Sequence, residues 1–258
     1  MNAMPKEVII ITGSTRGIGR STAIALAASG AAVVVNGRNE LEVQELVSTI
    51  RGNGGKAAGW TGCVLEERAG EQLVHVARTH FGAVTGLINN AGIIRDQKSY
   101  RMEYKDFSDV IDVHVKGAFI CSKAVIQDMR STNTHGFIVN ITSLAGLIGT
   151  IGQINYSAAK AALIGMTHTL AKELEKDFIQ VNAIAPAAET DMTRPFIEKV
   201  KQQASPEEQV YWSIGSPEDV ATFIDTFLKE RKLQETGEIY AINGSETGRW
   251  LPPSYELL

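Results

Sequence analysis

The sequence has little cysteine, no long apolar run and no excess of positive charge. Only 2 of its 258 residues are cysteines, Cys63 and Cys121, and their spacing matches no metal-ligand motif. We therefore expect two reduced, partly buried thiols and no metal site. No apolar stretch approaches the ~18 residues that a membrane span needs, and no targeting segment is visible. We expect a cytoplasmic protein with no membrane partner.

Charge and composition narrow the choice of partners further. The 25 Lys and Arg residues stand against 29 Asp and Glu residues, and the net charge of −4 argues against nucleic acid as a partner. The composition, 44% hydrophobic and 21% charged, is that of an ordinary globular protein. No repeat, linker or shift in composition divides the chain, so we expect a single domain over residues 1–258.

Short β-branched runs alternate with segments of helical period along most of the chain. The continuous apolar run at 8–11 is typical of a strand that is covered on both faces. The alternation predicts strands at 8–11, 31–36, 57–63, 86–89, 136–141, 180–185 and 238–242. It predicts helices at 17–29, 41–50, 66–81, 107–130 and 156–176, and a last helix that starts at the N-cap Ser216.

Helices of this length between strands imply right-handed crossovers and a parallel sheet. We therefore predict an α/β fold: a doubly wound Rossmann-type domain with a mostly seven-stranded parallel sheet and helices on both faces. The stretch at about 193–215 has no clear place in the sheet. We interpret it as a substrate lid over the carboxyl ends of the strands, where ligands bind in such folds.

A glycine-rich turn leaves the first strand and opens the first helix. Its sequence is Thr12-Gly13-Ser14-Thr15-Arg16-Gly17-Ile18-Gly19. Such a turn lets the backbone approach a pyrophosphate at the helix N-terminus, although an ordinary strand-to-helix connection can also contain glycines. The position between a buried strand and an amphipathic helix favours dinucleotide binding. The candidate cofactor contacts here are Gly13, Ser14, Arg16, Gly17, Ile18 and Gly19.

Tyr156 and Lys160 lie at i and i+4 of a predicted helix, which places a phenol and an ammonium on one face. Such a pair alone is common on helix surfaces, so its meaning depends on its surroundings. Ser143 follows a buried strand, and its hydroxyl can orient a substrate oxygen beside Tyr156. A nearby cation favours tyrosinate, so we expect Lys160, the positive nicotinamide of a bound dinucleotide and the local field together to lower the pKa of Tyr156 from about 10 toward neutrality. The phenol could then exchange a proton with a carbonyl oxygen.

Together with Asn89-Asn90-Ala91-Gly92 at the end of another strand, these motifs stand in the order typical of the short-chain dehydrogenase/reductase family. The sequence resembles that family over nearly its whole length. The resemblance implies an oxidoreductase that transfers hydride between a nicotinamide cofactor and a carbonyl or secondary alcohol, with Ser143, Tyr156 and Lys160 as catalytic residues. It also implies cofactor contacts at Tyr156, Lys160, Val64, Asn89, Ala91, Gly92 and Thr190.

The family resemblance also favours assembly into a homodimer or homotetramer. Small residues follow Tyr156 along the same helix, at Ala158, Ala159, Ala161, Ala162 and Gly165. They would let a second helix approach closely. Packing within the chain is the alternative reading of this stretch.

The end of the second predicted strand bears on the choice of cofactor. In dinucleotide-binding folds an acid at this point holds the ribose hydroxyl of NAD, whereas this chain has Asn36-Gly37-Arg38. Arg38 and Arg16 are suited to pair with a 2′-phosphate. We therefore predict that NADP(H) is preferred and that NAD(H) is a possible second cofactor. A solvated loop arginine is the alternative for Arg38.

The chain departs from the family pattern at two positions near the expected site. His114 stands where the family has a relay asparagine, and Cys63 with Val64 stands where an aspartate often holds the adenine. Histidine can carry protons, so we count His114 among the catalytic candidates and expect it to titrate near neutrality. A packing histidine without a relay role is the alternative.

Several segments resemble one branch of the family. His114, the stretch 149–160, Ala185-Pro186-Ala187-Ala188 and Gly248-Arg249-Trp250 look like those of 3-oxoacyl-thioester reductases and of the hydroxyacyl-CoA dehydrogenase domains of multifunctional β-oxidation enzymes. The resemblance implies a 3-oxoacyl or 3-hydroxyacyl thioester as substrate. The alternatives are a steroid, a sugar or another small alcohol or ketone, or a nucleotide-binding sensor without catalysis.

Overall fold

The computed structural model describes residues 7–190, 194, 214–230 and 235–251. Eight strands of these ranges form one sheet. They are β1 (Val8–Ile11), β2 (Ala32–Gly37), β3 (Lys56–Thr61), β4 (Gly86–Asn89), β5 (Phe137–Ile141), β6 (Gln180–Ala187), β7 (Ile239–Asn243) and β8 (Glu246–Trp250). The order is β3-β2-β1-β4-β5-β6-β7-β8, with β8 antiparallel and the other neighbours parallel. The predicted fold class is confirmed, with β8 as an addition.

Helices connect the parallel strands. They are α1 (Gly17–Ala28), α2 (Glu40–Gly52), α3 (Ala69–Phe81), α4 (Tyr104–Ile111), α5 (Gly117–Ser131), α6 (Ala145–Ile148), α7 (Ile154–Glu173) and α8 (Pro217–Glu230). A π-helical turn, Asp112–Lys116, joins α4 to α5. Short 3₁₀ turns lie at Ser99–Arg101 and Glu175–Asp177. The single helix predicted over 107–130 is therefore two α-helices with a π turn between them.

The sheet has an apolar core on each face. Ile9 and Ile11 of β1 pack with apolar residues of α1, α2 and α8, whereas Val8 and Ile10 pack with those of α3, α5 and α7. Because both faces are covered, all four residues of β1 are buried. This explains why the strand reads as a continuous apolar run rather than an alternating one.

β8 was not predicted because most of its residues are exposed and carry no apolar alternation. It pairs with β7 through the two-residue turn at Gly244-Ser245, in which Gly244 has a φ of +58°. A Gly-Ser turn between two extended segments is a known hairpin signal, and it was the available indication of this strand.

The two halves of the sheet diverge between β1 and β4. The chain builds outward from β1 toward β3 on one side and from β4 toward β8 on the other. The carboxyl ends of β1 and β4 therefore form the crevice in which ligands of doubly wound folds bind. Of the predicted lid at 193–215, all but Arg194, Ile214 and Gly215 lies outside the described residues.

No helix in the described ranges is long and apolar enough to span a membrane.

Candidate active site

A cleft of about 1190 Å³ opens at the carboxyl edge of the sheet. It is bounded by the turn after β1, the ends of β2, β4, β5 and β6, helix α7 and the β7–β8 hairpin. The structure brings most of the predicted site residues together around it. Those that line the cleft are Gly13, Arg16, Gly17, Ile18, Arg38, Val64, Ala91, Gly92, His114, Ser143, Tyr156, Lys160 and Thr190.

The turn after β1 is shaped for an anionic ligand. Gly13 has a φ of +60°, and a Cβ there would lie 2.7 Å from the Cα of Ala91, so only glycine fits. Helix α1 begins at Gly17, and among the described residues no side chain caps it at Arg16 and no acid lies in its first turn. The first N–H groups of the helix therefore face the cleft without a side-chain acceptor, which is the arrangement that binds phosphate.

The side chain of Asn89 does not face the cleft, although it was a predicted cofactor contact. Its Nδ2 donates to Ser122 Oγ and Asn140 Oδ1, each at 2.9 Å, inside the core. Successive side chains at a strand end point to opposite sides, so the neighbouring Asn90 lines the cleft instead. Asn90 Nδ2 donates to the carbonyl oxygens of Thr12 and Gly13 and ties the turn to β4.

Ser14 and Gly19 also serve the scaffold rather than the cleft. The Ser14 hydroxyl donates to the carbonyl of Ile11 at 2.8 Å and accepts the N–H of Asn36 at 2.9 Å. Gly19 packs directly against the Asn90 amide. Their prediction as direct cofactor contacts stays a prediction, and it would have to involve their backbone atoms. Each stabilises the glycine-rich turn on the side away from the cleft, because the tight turn directs these positions toward the sheet.

Ser143, Tyr156 and Lys160 converge at the ends of β5 and α7. Tyr156 and Ser143 both line the cleft, and the Ser143 side chain acts on the pKa of the Tyr156 phenol. Lys160 Nζ donates to the carbonyl of Ile141 at 2.6 Å and lies 5.4 Å from the centre of the Tyr156 ring. The i and i+4 spacing therefore places both functional groups at one point of the cleft, as the sequence predicts.

Burial dominates the electrostatics of this group. Burial raises the pKa of Tyr156 to about 12, and the negative charge of Asp96 adds to this, while the hydrogen bond with Ser143 opposes it. Burial lowers the pKa of Lys160 to about 7. Among the chain's own groups, desolvation of the tyrosinate is the largest effect on this pKa. Tyr156 is thus a protonated phenol at neutral pH, ready to donate. The expected lowering also depends on the positive charge of a bound nicotinamide, so it stays a prediction for the complex with cofactor.

His114 lies in the π turn at the floor of the cleft and is buried. Its Nε2 lies 2.9 Å from the carbonyl oxygen and 3.1 Å from the nitrogen of Ile93, and its ring meets the Tyr156 ring edge-on at 5.3 Å. A Cβ on Gly92 would overlap the imidazole, so glycine makes room for it.

Burial, aided by the charge of Lys160, lowers the pKa of His114 to about 3. The expected titration near neutrality is therefore wrong, and the imidazole is neutral under ordinary conditions. Its Nδ1 has no hydrogen-bond partner in the described part of the chain. A neutral ring with one free nitrogen beside Tyr156 retains the capacity to pass a proton.

The roles of several cleft residues escaped the sequence analysis. Asn36 Oδ1 accepts the N–H of Gly13 at 3.1 Å and its Nδ2 donates to the carbonyl of Gly62 at 3.2 Å. An amide inside an apolar strand was the signal for this role. Gln153 lines the cleft and donates to Asp96 at 2.9 Å; it lies three residues before Tyr156, on the same helical face. Trp250 also lines the cleft, and its role was missed because it lies in β8, which the sequence did not predict.

The two cysteines have different surroundings. Cys63 lines the cleft, and Cys121 is buried in the core, where burial raises the pKa of its thiol to about 12. Both are free, with no disulfide bond. Among the described residues, no cluster of His, Cys, Asp or Glu is arranged to hold a metal ion.

Comparisons with known proteins agree with this arrangement. A family model described as short chain dehydrogenase matches residues 7–201. The chain is 42% identical over 247 residues to a 3-oxoacyl-[acyl-carrier-protein] reductase of Synechocystis sp., a match that covers 95% of this chain and 98% of the relative. It is 41% identical over 214 residues to a peroxisomal hydratase-dehydrogenase-epimerase of Saccharomyces cerevisiae, covering 79% of this chain and 23% of that protein.

A solved structure shows the same fold. A short chain dehydrogenase from Mycobacterium avium superposes with a TM-score of 0.87 at 31% identity, and the match covers 100% of this chain and 89% of the other.

Proposed function

Because the chain belongs to the short chain dehydrogenase family, and is therefore an oxidoreductase of CH–OH groups that uses a nicotinamide cofactor, we propose that it interconverts 3-oxoacyl and 3-hydroxyacyl thioesters with NADP(H). The observation that carries the substrate class is the 42% identity with a 3-oxoacyl-[acyl-carrier-protein] reductase along 95% of the chain. The acyl carrier in our proposal is acyl carrier protein or coenzyme A.

The cleft fits a dinucleotide. Its volume of about 1190 Å³ exceeds the size of an ordinary small-molecule pocket, and the uncapped N-terminus of α1 offers N–H groups to a pyrophosphate. Gly13, Gly17 and Ile18 would hold the phosphates, and Lys160 would hold the nicotinamide ribose. When bound, the nicotinamide supplies hydride to a carbonyl carbon or accepts it from an alcohol.

The preference for NADP(H) rests on two exposed arginines. Arg16 and Arg38 both line the adenosine end of the cleft, and neither forms an ion pair with a carboxylate in the described ranges. The carboxylate of Glu42 also lines the cleft. Its Oε1 accepts a hydrogen bond from Asn39 Nδ2 at 3.5 Å, at the start of α2. Two free guanidinium groups suit a 2′-phosphate.

The catalytic roles follow from the protonation states. Ser143 holds the substrate oxygen, and Tyr156 donates its phenolic proton to that oxygen as the carbon gains hydride, so a ketone becomes a secondary alcohol. Lys160, with a pKa of about 7, can return a proton toward Tyr156 near neutral pH. His114 is the fourth member in our proposal, as a neutral proton carrier beside the phenol.

The mouth of the cleft suits an acyl chain. Leu144, which follows Ser143 in the chain, lines the cleft together with Ile148, Ile214 and Trp250, and these side chains offer apolar surface. An acyl thioester would bury its chain there while its oxo group meets Ser143 and Tyr156.

The test is a substrate panel with NADPH, followed by nicotinamide absorbance. We expect turnover of acetoacetyl-CoA and of longer 3-oxoacyl thioesters, and loss of that turnover in Tyr156→Phe with cofactor binding retained. No activity on any thioester, together with activity on a steroid or sugar, would contradict the proposed substrate. A Tyr156→Phe variant indistinguishable from wild type in all assays would favour the alternative of a nucleotide sensor.

We also propose that the protein assembles through the outer face of α7. Ala158, Ala161 and Gly165 are exposed there, so packing within the described chain does not cover them. Ile154 on the same helix and Phe119 on α5 are 49% and 57% exposed. A surface with small residues flanked by large apolar ones favours close helix-to-helix contact in a homodimer or homotetramer.

A further inference from the structure

Asn155 precedes Tyr156 in the first turn of α7, and its side chain is fully buried. Its Oδ1 accepts the backbone N–H of Tyr156 at 2.8 Å. Its Nδ2 donates to the carbonyl oxygens of Arg95 at 2.8 Å and Asp106 at 3.2 Å. Both amide hydrogens and the amide oxygen are therefore engaged, which satisfies the requirement of a buried amide.

These three hydrogen bonds join three separate parts of the molecule. Tyr156 belongs to α7, Arg95 belongs to the segment that follows β4, and Asp106 belongs to α4. The segment after β4 forms a wall of the cleft at Ile93. Asn155 therefore ties the helix that carries the phenol both to this wall and to α4.

The same wall reaches Tyr156 by a second route. α4 continues into the π turn of His114, whose Nε2 meets the backbone of Ile93 and whose ring contacts the Tyr156 ring. The wall, the π turn and α7 thus each contact the other two around the phenol. A shift of α7 against the wall would change the position of the Tyr156 hydroxyl relative to Ser143.

Two other side-chain links near Asn155 are exposed. Gln153 donates to Asp96 at 2.9 Å in an exposed bond, and Arg95 and Asp106 form an ion pair at 3.8 Å with side chains 51% and 39% exposed. Solvent screens exposed links of this kind, so they hold the segments together only weakly. Asn155 is the buried side-chain link among them.

We propose that Asn155 is a positioning residue that sets the place of the Tyr156 phenol by fixing α7 against the cleft wall. It does not touch the substrate, because its side chain has no exposed surface. The inference rests on the proposed role of Tyr156 as proton donor.

The test is the variant Asn155→Ser. A serine hydroxyl can still accept a helix N–H but is too short to reach the carbonyls of Arg95 and Asp106. We expect kcat to fall roughly 10- to 100-fold, since displacements of about 1 Å have effects of this size. The KM for NADPH, and its Kd measured by tryptophan fluorescence, should stay within about twofold.

Thr167→Ala is the matched control. Thr167 is a buried polar residue of the same helix that accepts from Asn140 Nδ2 at 2.9 Å and donates to the carbonyl of Leu163 at 2.8 Å, remote from the cleft. We expect it to lower the Tm comparably while kcat remains within about twofold of wild type. If Asn155→Ser and Thr167→Ala show the same Tm loss and the same kcat, the positioning role is refuted.

Two further measurements keep the result decisive. If Asn155→Ser does not fold, Asn155→Thr adds a methyl group to fill the space and removes the same two donated bonds. Tyr156→Phe separates the two ideas. Wild-type kcat in Tyr156→Phe would refute the proposed proton donor, and the positioning role with it. An inactive Tyr156→Phe with an unimpaired Asn155→Ser would refute the positioning role alone.

Discussion

At the scale of a single residue, the buried imidazole of His114 makes the stability of the fold depend on pH. Its pKa is about 3 in the fold, against about 6.5 for an unperturbed histidine. Between these values the unfolded chain binds a proton that the folded chain does not. The free energy of unfolding therefore falls as the pH drops from about 6.5 to about 3, by up to ~1.4 kcal/mol per pH unit.

We predict that His114→Asn removes this dependence. The His114 contribution should lower the free energy of unfolding of the wild type by about 2.5 kcal/mol between pH 7 and pH 4.5, whereas the variant should lack this loss. Urea denaturation at both pH values measures the difference. His75→Asn is the control, because His75 is an exposed residue of α3, and it should follow the wild type. Equal acid sensitivity of His114→Asn and wild type would show that His114 is not a neutral buried group.

Arg38 decides cofactor preference in our proposal. We predict that Arg38→Ala raises the KM for NADPH roughly 10- to 100-fold, because hydrogen bonds between charged groups contribute about 1.5–3 kcal/mol. The KM for NADH should stay within about twofold. Arg20→Ala, on α1 but away from the cleft lining, should leave both constants unchanged. A preference for NADH that persists in Arg38→Ala would contradict the assignment.

At the scale of elements, the start of α8 is stabilised by a reciprocal cap. Ser216 Oγ accepts the N–H of Asp219 at 3.2 Å, and Asp219 Oδ2 accepts the N–H of Ser216 at 2.7 Å. The N–H and the hydroxyl of Ser216 both donate to Asp219 Oδ2, and these two bonds lower the pKa of Asp219. The Ser-Pro-Glu-Asp sequence predicted this helix start, and the structure shows the mechanism, in which each side chain satisfies the other's backbone donor.

We predict that Ser216→Ala lowers the free energy of unfolding by about 1 kcal/mol, the usual loss for a helix N-cap. Urea denaturation at neutral pH measures it. Thr222→Ala is the control on the same helix, because the Thr222 hydroxyl bonds only to the carbonyl of Glu218 one turn earlier. It should change stability by less than about 0.5 kcal/mol. Equal losses in the two variants would argue against a stabilising cap.

Sequence reasoning could predict the elements whose burial shows in the local pattern of apolar and polar residues. Strands β1, β2 and β5 are buried along their whole length, and their β-branched runs show it. The π turn at Asp112–Lys116 has no such signature, because its residues keep an apolar pattern that is compatible with an α-helix. β8 has none either, because it is stabilised by backbone pairing to β7 and not by burial.

Within the site too, the sequence predicts what local spacing determines and not what depends on tertiary packing. The functional groups of Tyr156 and Lys160 meet because helix geometry is fixed by spacing. The opposite directions of Asn89 and Asn90 and the contact between His114 and Gly92 depend on tertiary packing. The pKa of Tyr156 depends on burial, which the residue types around it in sequence do not reveal.

At the scale of the whole molecule, the exposed face of α7 leads to a prediction about assembly. We expect sedimentation equilibrium to show a dimer or tetramer at micromolar concentration. Ala161→Arg, which places a bulky charge on the exposed stripe, should shift the wild-type assembly toward monomer. Glu45→Ala is the control, because Glu45 is exposed on α2, which packs on the other face of the sheet from α7, and it should leave the assembly unchanged. A monomeric wild type would contradict the proposed interface.

The π turn also marks one point at which the chain can change its length. An i→i+5 turn accommodates a residue that a regular α-helix between α4 and α5 would not need. Deleting one residue there would join α4 and α5 into one regular helix and leave later positions, among them the core residues Cys121 and Val125, on their buried face. The same deletion within α5 would rotate every later position by about 100° around the helix axis and turn that face away from the core. For this segment, the place at which a residue is lost matters more than the number lost.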